Sequence, residues 1–230
     1  MYDSQTIGQR TASDINNAMA RVYSHMAIAT LISMIVSYTL GTSATAMAVI
    51  SQGWVQILLF ISILAMAFVT PIMISAGLGF GGAFAMLAGF SALMGVSMSS
   101  VFVTFSLGSI FTAFMGAAVL FGTMSIVGYF TKRDLSQFGP MLFVALIAII
   151  IASIINIFIG STVLQMVISA IAIVVFLGFT AYDTQTIREQ LMDGDDYRIE
   201  IMGALNLYLD FINIFINLLQ LIGVAPGSDD

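Results

Sequence analysis

Residues 22–131 contain no Asp, Glu, Lys or Arg, and residues 135–182 contain none either. A run of 110 uncharged residues is far longer than the roughly 20 apolar residues that one membrane crossing needs. The chain must therefore cross a bilayer repeatedly, with little mass outside it. Only 8% of its 230 residues are charged, against about 25% in soluble domains. That excludes an ordinary soluble enzyme, a disordered segment and a nucleic-acid binder. The net charge of −6 points to no partner, because half the acids sit in one short loop and the C-terminal tail. Cysteine is absent, which removes disulfides, thiolate catalysis and Cys-ligated metals. The polar residues 1–21 do not read as a secretory signal.

Gly, Pro and short polar clusters divide the rest into seven apolar segments, near 24–46, 54–76, 80–102, 108–130, 140–160, 163–187 and 202–223. Each is expected to be a helix, because a segment alone in hydrocarbon must satisfy its own backbone. Segment 5 shows no β-barrel alternation of polarity. The expected architecture is an all-α integral membrane protein. Residues 1–23 form a cytoplasmic segment, 24–223 a seven-helix transmembrane domain, and 224–230 a short extracytoplasmic tail.

The basic residues check the count. Arg10 and Arg21 precede span 1, Lys132 and Arg133 separate spans 4 and 5, and Arg188 and Arg198 separate spans 6 and 7. All six fall on one side, which the positive-inside rule makes cytoplasmic. The N-terminus is then inside and Asp229–Asp230 outside, in an inner (plasma) membrane. Ala85 and Gly89, Gly95 and Ser99, Ala113 and Ala117, and Ala118 and Gly122 are small-xxx-small pairs, which let helices approach closely in lipid.

Two charged residues remain inside the spans: Asp183 near the end of span 6 and Asp210 in span 7. An Asp at mid-membrane costs about 2.5 to 3.5 kcal/mol on insertion scales, so it is expected to face the bundle interior and to serve a function. Spans 6 and 7 run antiparallel. Asp183 lies about 7.5 Å from the level of Arg188, and Asp210 about 15 Å from that of Glu200, at 1.5 Å per residue. Modest tilt brings the two into register. Asn206, Asp210, Asn213 and Asn217 recur at steps of four, three and four, which is one helix face. That face is expected to look inward, towards spans 5 and 6. Thr180 and Thr184 lie at the height of Asp183, and Asn156 nearer the other end. Asn206, Asn213, Asn217, Thr180 and Thr184 are candidate pore-lining residues; interhelical hydrogen bonding alone is the competing reading of the asparagines.

Two carboxyl groups a few ångströms apart in low dielectric cannot both ionise cheaply, and such a pair shares a proton. It suits a proton-sensing switch, a hard-cation site or acid–base hydrolysis. Ca²⁺ takes about six to eight oxygen ligands, so Asp183 and Asp210 would make a weak, transient Ca²⁺ site. No cofactor is expected. Other motifs carry less. Gly77, Gly79 and Gly82 satisfy a dinucleotide-binding spacing, but between two membrane spans they read as a hairpin turn. His25 is the only histidine and cannot build a His-cluster metal site. Pro71 is expected to kink span 2, and residues 193–196 read as a solvated turn.

The runs Gly128 to Ser136, Ile151 to Asn156, Thr180 to Arg188 and Leu207 to Asn213, with Arg21 to Tyr23, resemble the Bax inhibitor-1 family, and within it the small bacterial inner-membrane members. The resemblance covers essentially the whole chain. It implies a seven-helix bundle whose seventh helix is central and wrapped by the other six. It also implies a pH-sensitive Ca²⁺ leak channel, in which acids matching Asp183 and Asp210 share a proton and close the cytoplasmic side. Relatives of the family suppress cell death or modulate a membrane protease, so a membrane-protein partner is a further expectation. One departure matters. The structurally known bacterial member of the family has an Arg and a Glu within helix 2, the Arg acting as a latch to the acid pair, whereas residues 55–76 here hold no charge.

Two other functions compete. Tyr182–Asp183 matches half of the intramembrane aspartyl protease signature, but Leu207, Tyr208 and Leu209 stand before Asp210 where Gly-x-Gly is required. The chain is therefore expected not to be an enzyme. A non-conducting regulatory membrane protein would show the same sequence features.

Overall fold

The computed structural model describes residues 11–194 and 196–224. Arg10, Asp195 and the tail 225–230 lie outside the described residues. Among the latter there is no strand, and nine α-helices follow one another. They are α1 (Ala12–Gly41), α2 (Ala44–Ile50), α3 (Gly53–Ser75), α4 (Phe80–Met98), α5 (Val101–Thr104), α6 (Leu107–Phe130), α7 (Gly139–Ile159), α8 (Thr162–Asp193) and α9 (Tyr197–Val224). Seven spans are long and apolar enough to cross a membrane: α1, α3, α4 with α5, α6, α7 with the turn before it, α8, and α9. These are the seven expected segments.

Their ends differ from expectation. Half of the supposed N-terminal segment 1–23 is helix, because α1 starts at Ala12. Thr11 and Asp14 form a capping box, with the Thr11 side chain accepting from the Asp14 N–H at 3.2 Å and Asp14 accepting from the Thr11 N–H at 3.0 Å. This satisfies N–H groups that a helix start otherwise leaves orphaned. The buried stripe Ile15, Ala18, Met19, Val22, Met26 and Ala29 runs straight from the polar stretch into the span. Averaged hydropathy hides such a stripe; helical periodicity carries it. Likewise α8 extends to Asp193 and α9 begins at Tyr197, so both overrun the apolar cores expected for them. Span 3 breaks between Met98 and Val101, and α3 runs through Pro71.

Of the seven spans, α9 is the most deeply buried. Half of its most apolar stretch is buried, against a third or less for every other span. It packs chiefly against α8, α1 and α6, and more lightly against α4 and α3, while α7 packs on α8. Glycines permit close backbone approaches between helices at two of the packing seams. A Cβ on Gly95 would stand 2.7 Å from the Ser33 carbonyl oxygen of α1. A Cβ on Gly128 would strike the Ala181 carbonyl and lie 2.8 Å from the Ala181 Cα of α8. Ala113 and Ala117 are fully buried as expected of a small-residue pair, but Gly122 meets nothing within 4 Å.

Candidate functional site

Consecutive antiparallel helices bring the two intramembrane acids together. Ile187 of α8 packs on Gly203 of α9, at 3.0 Å from where its Cβ would be. Four residues back along α8 and seven forward along α9 lead to Asp183 and Asp210. Asp183 is half-buried and Asp210 only 4% exposed, and their carboxyl groups are electrostatic neighbours. No hydrogen bond joins them among the described residues, and Asp210 Oδ2 is buried without a donor. The direct acid-to-acid hydrogen bond expected of a proton-sharing pair is thus not formed in this arrangement.

Around them, Thr180 and Thr184 are fully buried. Thr180 Oγ1 donates to the Phe176 carbonyl of its own helix at 2.8 Å. Thr184 Oγ1, next to Asp183 in sequence, is buried without a partner. Among the described residues no group of three or more His, Asp or Glu assembles, so the pair alone falls short of the ligand number Ca²⁺ takes.

The asparagine stripe does not all look inward. Asn213 and Asn217 are half-buried, but Asn206 is exposed. Asn206 lies one turn from Asp210 towards the basic end of the bundle. Nor do these amides join helices: Asn213 Nδ2 donates to the Leu209 carbonyl and Asn217 Nδ2 to the Asn213 carbonyl, both at 2.8 Å within α9. Asn156 does lie at the opposite end, where it donates to Gln165 at 3.1 Å.

Contacts at the basic end were not legible beforehand. Arg21 of α1 donates through Nε at 2.8 Å and a terminal nitrogen at 2.5 Å to one oxygen of Glu200, whose side chain is 6% exposed. The Arg188 guanidinium stacks 5.0 Å above the Tyr129 ring, and the Tyr129 hydroxyl donates to Asn16. Gln185, two residues past Asp183, accepts from the Leu135 N–H at 2.7 Å and donates to the Arg133 carbonyl at 2.9 Å. These bonds place Arg21, Arg133 and Arg188 at one end of the bundle, and Arg198, two residues before Glu200, with them, the shared side on which the span count rests. Asp134 in that loop accepts from the Ser136 N–H at 2.8 Å, and hydrogen bonding from Ser136 holds its carboxyl below the ordinary carboxylate range. The signal available beforehand was charge economy: Glu200 opens an apolar run and Arg21 closes a polar one, so each needs a partner.

Comparison with known proteins fits this architecture. The family model described as "Inhibitor of apoptosis-promoting Bax1" matches residues 15–226. The inner membrane protein YbhL of Escherichia coli is 40% identical over 212 residues, covering 89% of this chain and 90% of that one. Uncharacterized proteins of Deinococcus radiodurans and Borreliella burgdorferi are 37% and 36% identical, the first covering 93% of both chains. Seven membrane-spanning helices, an acid on each of the last two, and a family match over almost the whole chain lead to one conclusion: this protein belongs to the Bax inhibitor-1 family of integral membrane proteins.

Proposed function

We propose that the protein is a passive, proton-gated cation leak that prefers Ca²⁺ across a bacterial inner membrane, with the basic end of the bundle in the cytoplasm. The observation that carries this reading is the pairing of Asp183 with a buried Asp210 whose Oδ2 has no donor. A buried carboxylate oxygen without a partner is costly, and a proton or a cation relieves it. With a proton on the pair, α8 and α9 stay closed. Loss of that proton sets two negative charges against each other, loosens the two helices at this level, and leaves a site that attracts cations. Asn206 stands at the cytoplasmic mouth of the route, and the carbonyl oxygens of Asn213 and Asn217 continue it beyond the acids. The second span, α3, supplies no arginine, so the closed state rests on the Arg21–Glu200 pair, the Tyr129–Asn16 bond and the Gln185 clamp on the 131–135 loop. Protons and Ca²⁺ are the ligands of this reading, with no cofactor and no catalytic step.

The test is Ca²⁺ flux in proteoliposomes of purified protein across a pH series, for the native chain and for the variant with both Asp183→Asn and Asp210→Asn. Flux that rises with pH in the native chain and loses that dependence in the variant supports the reading. Absence of flux at every pH would overturn it in favour of a non-conducting regulator, such as a modulator of a membrane protease.

A further inference from the structure

We propose that a second, proton-independent constriction closes the seam between α8 and α9 at the end opposite the acids, formed by Gln220 with Gln165 and Ser169. This rests on the leak reading and adds to it a far-side gate. Gln220 lies three residues beyond Asn217 and so prolongs the face that carries Asp210, Asn213 and Asn217. It stands ten residues from Asp210, about 15 Å along the helix. Its Oε1 uses both lone pairs across the seam, accepting from Gln165 Nε2 at 2.7 Å and from Ser169 Oγ at 2.8 Å. Gln165 Oε1 in turn accepts from Asn156 Nδ2 at 3.1 Å. Asn156 Oδ1 accepts from the Ser161 backbone N–H at 3.2 Å, so the chain of bonds is anchored in the α7–α8 turn.

The contrast with the middle of the seam argues for a closure and not for general adhesion. Asn213 and Asn217 could have crossed to α8, yet both turn their N–H groups onto their own helix. Among the described residues, this face is bridged to α8 at its far end. Every member of the bridge is a neutral amide or hydroxyl, so it does not respond to the proton that sets the acid pair. Two gates in series, one titratable and one not, keep the seam shut to the outside when the acids alone are charged.

The chain has no cysteine, which makes accessibility the direct measurement. Asn217→Cys is placed between the two constrictions, and a charged, membrane-impermeant methanethiosulfonate is applied from the far side. Adding Gln220→Leu should raise the labelling rate about tenfold, because two interhelical bonds of modest strength in lipid are lost. Ser169→Ala, which removes one bond across the seam with little change of volume, should raise it about threefold on the same basis. Thr184→Cys, labelled from the basic side, should keep its rate in both backgrounds. An unchanged rate at Asn217→Cys overturns the constriction, and so does an equal rise at Thr184→Cys, which would mean a loosened bundle. Labelling requires no conduction. If the rates move as expected while native proteoliposomes pass no Ca²⁺, the constriction stands and the leak reading falls.

Discussion

At the scale of single residues, burial without compensation marks the acids, and compensation marks the ion pair at the basic end. Asp183→Asn or Asp210→Asn alone should flatten the pH response of Ca²⁺ flux, since one carboxyl has no like charge to repel. Asp134→Asn should leave that response intact. Its folded carboxyl is held below the ordinary range by Ser136, so it is ionised well below neutral pH and switches nothing between about pH 5 and 8. If the flux profile shifts with Asp134 and ignores the pair, the gate is in the loop. The Arg21–Glu200 pair is asymmetric, with side chains 45% and 6% exposed. Arg21→Leu strands a buried carboxylate and should cost about 3 kcal/mol, while Glu200→Gln keeps an acceptor for a half-exposed guanidinium and should cost about 1 kcal/mol. Unfolding in detergent by denaturant measures both, and an equal cost would mean that Glu200 is hydrated in the folded state.

At the scale of elements, contact between helices decides what the small-residue pattern means. Gly128→Ala pushes a methyl into the Ala181 backbone, which cannot swing aside, and should cost about 2 to 3 kcal/mol by overpacking. Gly122→Ala meets nothing within 4 Å and should gain about 0.5 to 1 kcal/mol through helix propensity. The two thermal midpoints should therefore move in opposite directions; a common direction would break the assigned α6–α8 contact. The stripe on α9 gives a second test. Asn213 bonds to its own helix, so Asn213→Leu should leave folding nearly intact. It removes a carbonyl oxygen and adds a hydrophobic constriction, so flux per folded molecule should fall several-fold. Unchanged flux would move the route off this face.

At the scale of the whole molecule, the parity of the spans fixes sidedness. Cysteines placed singly at Ser136 and Thr42 should label from opposite sides, since three spans separate them, and one at Ser228 should label with Thr42. Labelling of all three from one side would refute the seven-span topology. The number of crossings was readable in the sequence because hydrocarbon imposes a one-dimensional rule: each crossing must be about 20 apolar residues long and keep its charges at the ends. The meeting of Asp183 and Asp210 was readable for a related reason, as consecutive antiparallel helices leave one intramembrane acid little choice but the other. What the rule does not reach is whatever depends on which faces pack. Hydropathy could not show that α1 begins at Ala12, since a polar stretch with one buried stripe averages as polar. Spacing alone could not show that Asn206 stays exposed while Asn213 and Asn217 turn onto their own backbone. Arg21 with Glu200, and Gln165 with Gln220, lie 179 and 55 residues apart. The first pairing is set only when α1 packs against α9, and the second by which faces of the consecutive helices α8 and α9 meet, and neither choice of face can be read from hydropathy.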